Sequence, residues 1–175
     1  MEPDGTRRET LTLFEEHGPA LYRFALVFMR HREDAEDVLQ ETFLKLLSHL
    51  QAGRPGTNLR GWLFTVAAHA CRDRLRRRSR WLPWSEEHDV PVEPPPLADE
   101  DGRLHAVRSA MARLSPRDRL LVALRAQGLS YAEIADASGM RRTSVGRLLA
   151  RALQRWERAY AAAPPLPHAY GRSSS

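Results

Sequence analysis

The chain has 175 residues, a length that allows one ordinary domain or two small ones. Lysine and arginine outnumber the acids 27 to 22, a net charge of +5, and the surplus is arginine because Lys45 is the only lysine. The single cysteine, Cys71, excludes an internal disulfide and a cysteine-based zinc finger. No apolar run reaches the length of a membrane span or a signal-peptide core, so a cytoplasmic protein is expected.

The first stretch with helical periodicity runs from about Thr10 to Arg30, with Leu13, Phe14, Leu21, Phe24, Ala25 and Phe28 on its apolar side. Gly18-Pro19 inside it predicts a break or a kink, since proline lacks a donor and crowds the preceding turn. The second helix begins with D-A-E-D-V-L-Q-E-T-F at 34–43 and continues to Leu50. Ala35, Val38, Leu39, Thr42, Phe43, Leu46, Leu47 and Leu50 repeat at helical spacing and form its core face. The opposite face carries Asp37, Gln40, Glu41, Leu44 and Ser48, acidic and polar around one leucine, with Lys45 at its edge. That strip reads either as a plain solvated face whose acids complement the helix N-terminus or as a docking surface for a basic partner.

A turn is expected at Gly53-Arg54-Pro55-Gly56, and Asn58 is a cap for a third helix that turns Leu59, Trp62, Leu63, Val66, Ala67 and Ala70 inward. On its flank Thr65, His69, Arg72 and Arg76 follow one another at spacings of four, three and four, leading into Arg77, Arg78 and Arg80. Arginines near a helix C-terminus suit the macrodipole, but this cluster exceeds what a cap requires and points to a nucleic-acid face. Residues 82–103 hold five prolines and seven acids and read as a linker.

From 104 the pattern is helical again. Ser115-Pro116 starts one helix, with a cap residue followed by proline at the first helical position, and that helix ends at Gly128. Ser130 and Glu133 form an S-x-x-E capping box for a short helix over Tyr131–Ser138, and Gly139 supplies the left-handed residue of a tight turn. A last helix from about Thr143 to Tyr160 buries Val145, Leu148, Leu149, Ala152, Leu153 and Trp156. Two helices joined by such a turn, the second fronted by Arg141, Arg142, Thr143, Ser144 and Arg147 with Arg151 one turn on, match a helix-turn-helix that reads DNA. Residues 161–175, rich in Ala, Pro and Ser, read as a tail without fixed structure. The expected architecture is all-α, two small helical domains on an acidic, Pro-rich tether.

No catalytic residues are expected. Ser115 and Ser130 are caps, and no phosphate-cradling glycine loop or nucleophile elbow occurs. His31, Glu33, Asp34, Glu36 and Asp37 crowd a helix start, where acids have an electrostatic reason to be, and do not read as a metal site. No cofactor and no metal are expected.

Taken in order, three segments resemble the extracytoplasmic-function group of bacterial RNA polymerase sigma factors. D-A-E-D-V-L-Q-E-T-F at 34–43 looks like that family's core-polymerase-binding helix. R-G-W-L-F-T-V-A-A-H-A-C-R-D-R-L-R-R at 60–77 looks like its promoter-melting helix. L-S-P-R-D-R at 114–119, with L-S-Y-A-E-I-A at 129–135, looks like its minus-thirty-five-reading domain. The resemblance implies a region 2-like domain over 10–81, a linker over 82–103, a region 4-like domain over 104–160 and the tail. It implies docking on core RNA polymerase through Asp37, Gln40, Glu41 and Leu44. Minus-ten DNA would meet Asn58, Arg60, Trp62, Thr65, His69, Arg72 and Arg76, and the minus-thirty-five element Arg141, Arg142, Thr143, Ser144, Arg147 and Arg151. The partners implied are core polymerase, promoter DNA and, as is common in that family, an anti-sigma factor. Two features depart from the family pattern. Ala68 and His69 stand where arginine and asparagine are usual, and S-V-G-R-L-L-A-R-A at 144–152 carries Gly146 where a basic residue is common. A stand-alone helix-turn-helix regulator that does not bind polymerase, and a helical RNA-binding protein using Arg72–Arg80, are the rival readings.

Overall fold

The computed structural model describes residues 3–29, 31–53, 58–81 and 101–163. The expected tail beyond residue 163, most of the expected linker and Arg54-Pro55-Gly56 of the turn lie outside them. Among the described residues every regular element is a helix: α1 (Pro3–Phe28), α2 (Arg32–Gln51), α3 (Leu59–Trp81), α4 (Gly102–Ala112), α5 (Pro116–Ala126), α6 (Tyr131–Ser138) and α7 (Arg142–Ala161). None of them is long and apolar enough to cross a membrane.

Helix α1 corrects two expectations. It starts seven residues before Thr10 and runs unbroken through Pro19. Residue 18 is glycine, so the proline ring meets no Cβ on its predecessor, and the flank of Phe14 covers that spot 3.6 Å away. Phe14, expected in the core, is 44 % exposed. It meets Phe43 edge-on at 4.9 Å and leaves its outer side open. Leu21, Phe24, Ala25 and Phe28 are buried as their spacing predicts.

Helix α2 buries Ala35, Val38, Thr42, Phe43, Leu46 and Leu50 against α1 and α3. The Thr42 hydroxyl is satisfied inside the helix by the Val38 carbonyl at 2.7 Å. In α3, Asn58 caps as expected, its Oδ1 accepting from Gly61 N–H at 2.9 Å. This helix is buried more widely than one stripe. Leu63, Ala67 and Ala70 are buried, and so are Phe64, Ala68 and Cys71 at the same spacing on an adjoining face. Phe64 packs on Phe24 at 5.5 Å. Burying Leu21, Phe24, Leu46, Leu63 and Phe64 is worth roughly 1.5–3 kcal/mol each, which makes this three-helix junction the main stabiliser of the first domain.

In the second domain Asp101, expected in the linker, instead caps α4 by accepting from Leu104 N–H at 2.7 Å. The L-S-P-R-D-R motif has a structural meaning at each position. Ser115 caps α5 through Asp118 N–H, Pro116 opens the helix, and Asp118 is buried and bound by Arg155 of α7 at 2.6 Å. Arg119 turns back to donate to the carbonyls of Met111, Ala112 and Leu114 at 2.8, 2.9 and 3.2 Å. It thereby closes the C-terminus of α4, whose last carbonyls have no partner within the helix. Helix α6 has both bonds of the capping box, Ser130 N–H to Glu133 Oε2 at 2.6 Å and Glu133 N–H to Ser130 Oγ at 3.3 Å. Gly139 follows at φ 72°, the left-handed turn of the helix-turn-helix. Helix α7 packs on α4, α5 and α6.

The two domains touch. Helix α6 lies against α3, and α4 makes a smaller contact with α1. Buried apolar residues of both domains form one cluster.

Candidate polymerase and promoter interfaces

On α2 the polar strip divides. Asp37, Gln40 and Leu44 are exposed, Leu44 at 57 %. Gln40 and Leu44 also line an open apolar groove between α1 and α2, together with Phe14, Leu39, Phe43 and Leu47. Leu11, one turn before Phe14 on α1, is exposed as well. Glu41 is different. Its Oε2 accepts from Arg74 of α3 at 2.6 Å and its Oε1 from Lys45 at 2.7 Å, and these bonds hold its carboxyl below the usual carboxylate range, Lys45 contributing most. The strip was expected to have no cation other than Lys45 near it. Arg74 supplies one from a neighbouring helix, which spacing along α2 could not reveal.

The residues expected at the minus-ten element fall into two groups. Asn58, Arg60 and His69 face the second domain. Asn58 Nδ2 donates to Glu133 Oε1 at 2.6 Å and Arg60 donates to the Gln127 carbonyl, both side chains remaining exposed, and the half-buried His69 ring lies toward the Ala137 backbone. Burial lowers the His69 pKa first and the Arg72 guanidinium second, favouring the neutral imidazole. Trp62 and Thr65 are half-buried within the first domain, Trp62 with its ring 4.7 Å from that of His49 and Thr65 donating to the Gly61 carbonyl at 2.9 Å. Arg72 and Arg76 are exposed toward the C-terminal half of α3.

Gly61, beside the cap, shows why R-G-W contains a glycine: a Cβ there would lie 2.5 Å from Glu133 Oε1 and 2.7 Å from Asn58 Nδ2. Cys71 is buried, and burial pushes its thiol up to about 12, which keeps it protonated at neutral pH. No group of three or more His, Cys, Asp or Glu among the described residues is arranged to hold a metal ion.

At the start of α7, Arg141, Arg142, Thr143 and Arg147 are exposed, Ser144 is half-buried, and Arg151 is exposed one turn on. Arg142 reaches Asp136 of α6 at 3.6 Å, a loose exposed pair of little energetic weight. Gly146 lies under Tyr131, whose ring edge would be 3.4 Å from an added Cβ. The tyrosine also stands 5.9 Å from the Arg125 guanidinium. The first helix of the helix-turn-helix therefore crosses the second close to Gly146, and a Cβ there would sit in van der Waals contact with the Tyr131 ring.

Comparison with known proteins gives a consistent result. Residues 13–80 match the family model of Sigma-70 region 2, and residues 104–155 match that of Sigma-70 region 4. The "ECF RNA polymerase sigma factor SigE" of Mycolicibacterium smegmatis is 35 % identical over 151 residues, 81 % of this chain and 58 % of the relative. The chain thus spans less than two thirds of that protein. The "RNA polymerase sigma factor CarQ" of Myxococcus xanthus is 32 % identical over 142 residues, 78 % of this chain and 80 % of the relative. Among solved structures, that of CnrH in complex with the cytosolic domain of CnrY aligns with a TM-score of 0.67 at 26 % identity, over 91 % of this chain and 92 % of the other. The sigma factor RpoE of Bartonella quintana, in complex with the anti-sigma factor NepR, shares the fold with a TM-score of 0.68 at 24 % identity, over 89 % of this chain and 96 % of the other.

Proposed function

The chain belongs to the ECF RNA polymerase sigma factors, and from that membership we propose that it binds core RNA polymerase and directs it to specific promoters. The observation that carries the reading is the order of the two modules. A region 2 match over 13–80 is followed by a region 4 match over 104–155, and a stand-alone helix-turn-helix regulator has no need of the first. The protein acts as an initiation factor and contributes no catalytic group of its own.

The division of labour follows the exposed chemistry. Asp37, Gln40 and Leu44 dock on polymerase, with the apolar groove beside them taking part of the contact. A polar rim around an apolar cleft is the usual anatomy of a specific interface. Glu41 supports the strip by tying α2 to α3 and touches polymerase only if it leaves Arg74. Asn58, Arg60, Trp62, Thr65, His69, Arg72 and Arg76 serve the minus-ten element, where unpaired bases can be met by side-chain amides, rings and guanidinium groups. Arg141, Arg142, Thr143, Ser144 and Arg147 enter the major groove at the minus-thirty-five element, and Arg151 contacts phosphate. An anti-sigma factor is a further partner, as it is for the Bartonella quintana protein that shares this fold.

The test is reconstitution. Purified protein mixed with core polymerase should co-elute with it and support run-off transcription from a promoter selected out of a random library. Binding to DNA with no association with polymerase would favour the stand-alone regulator instead.

A further inference from the structure

Trp62 heads a stripe on α3. Thr65, His69, Arg72 and Arg76 follow it at helical spacing, the first two half-buried like Trp62 and both arginines exposed. A flat ring at the head of a row of guanidinium groups suits single-stranded nucleic acid, with the cations on phosphates and the ring under a base. The backbone of Trp62 is fixed, since its N–H donates to the carbonyl of Asn58, the cap of α3, at 3.1 Å. That bond leaves the two side-chain torsions of the indole undetermined.

The ring that meets Trp62 comes from α2. His49 lies in the last turn of α2 and Trp62 in the first turn of α3, so the two flank the connection between these helices. Their ring centroids are 4.7 Å apart with the planes inclined at 36°, a direct contact. His49 is half-buried, and α2 is anchored through buried Phe43, Leu46 and Leu50, so the imidazole is carried on a rigid element. A basic residue in the last turn of a helix suits the macrodipole wherever its side chain points, which does not account for the imidazole lying on Trp62.

We infer that His49 is a positioning residue for promoter reading: its imidazole backs the Trp62 indole and holds that ring in the orientation that receives an unpaired minus-ten base. The inference rests on the assignment of Trp62 to the minus-ten element made above. His49 acts through Trp62 and not on DNA. Without it the indole spreads over several rotamers, and each binding event has to gather it into one.

The test uses the full-length chain, free and as holoenzyme. Incorporated 5-fluorotryptophan gives a fluorine resonance for each of the four tryptophans, and Trp62 is assigned by its loss in Trp62→Phe. His49→Ala should shift and broaden the Trp62 resonance and leave that of Trp156 in place. In the holoenzyme, His49→Ala should weaken binding to a minus-ten fork probe about three- to tenfold, the weight of one aromatic contact, and His49→Phe should stay within about twofold of wild type. Trp62→Ala should weaken the same probe by about tenfold or more, as loss of a base-stacking ring does, and His49→Ala should add nothing in that background. Co-elution with polymerase and affinity for a minus-thirty-five duplex should not change in His49→Ala, a pattern that general loss of structure cannot produce. An unmoved Trp62 resonance, full probe affinity in His49→Ala, no rescue by His49→Phe, or an undiminished effect in the Trp62→Ala background each overturns the positioning role. The minus-ten assignment survives those results as long as Trp62→Ala weakens the probe. If Trp62→Ala binds as wild type while Arg72→Ala does not, Trp62 leaves the minus-ten set and the role of His49 goes with it. Failure of the wild-type holoenzyme to hold the probe removes the promoter reading and this inference together.

Discussion

Asp118 and Arg155 make a pair whose two halves should respond unequally to removal. The Asp118 side chain is 2 % exposed and that of Arg155 53 %, and Arg155 Nη1 lies 2.6 Å from Asp118 Oδ2, joining the first turn of α5 to the C-terminal half of α7. Arg155→Ala strands a buried carboxylate with only Arg117 Nε nearby at 3.5 Å. Removing one partner of a buried pair costs about 3–5 kcal/mol, and the half-exposed position of the arginine reduces that to roughly 2–3 kcal/mol here. Asp118→Ala removes the buried charge together with its desolvation cost and leaves an arginine that water can solvate, so about 1 kcal/mol is expected. The double variant should then be more stable than Arg155→Ala alone. Urea unfolding followed by circular dichroism gives the three differences, and fluorescence anisotropy on a minus-thirty-five duplex tells whether α7 has moved. An Asp118→Ala loss larger than that of Arg155→Ala would refute the reasoning, since the burial asymmetry would then have no energetic consequence.

Three other perturbations follow from the same structure. Asp37→Arg and Leu44→Ala should abolish or strongly weaken binding to core polymerase with helicity unchanged, whereas Glu41→Arg should also lower the melting temperature because it faces Arg74; equal polymerase affinity for wild type and Asp37→Arg in a pull-down would remove α2 from the docking surface. Arg147→Ala should cost about 1–3 kcal/mol and relax the preference at one minus-thirty-five position, while Arg151→Ala should weaken all sequences alike and flatten the salt dependence, as read from a promoter library at several ionic strengths. Glu41 is held below its ordinary pKa by Lys45 and Arg74, and Glu133 by Ser130 and then Asn58. A carboxyl depressed in the folded state takes up its proton more readily once unfolded, so the stability these two contribute is present above about pH 4.3, the ordinary value for glutamate, and is lost as the pH falls through their lowered values. Melting curves of Glu41→Gln and Glu133→Gln should therefore lose part of the acid-side decline seen in wild type, and an unaltered decline in both would contradict the assignment.

Much of this molecule is written in local patterns. Asn58, Ser115, Pro116, the Ser130–Glu133 capping box and Gly139 mark helix ends through bonds spanning three or four residues, so their meaning is complete within a short window of sequence. The apolar periodicity of α2 and α7 likewise names its own buried face, and the order of the two modules is legible from 34–43, 60–77 and 114–135 alone. Tertiary structure decided what lies between elements distant in the chain. Phe14 is partly open to solvent because the junction of α1 with α2 leaves its outer side uncovered, and α1 continues through Pro19, where Gly18 removes one of the contacts that proline makes with its predecessor. Phe64 is buried because α3 is covered on more than one side, which a single-stripe pattern does not convey. Glu41 meets Arg74 33 residues away, and Asn58 meets Glu133 75 residues away. Side-chain periodicity tells which way a residue points on its own helix, but the partner it finds there depends on how the helices pack, and that is set by the core as a whole.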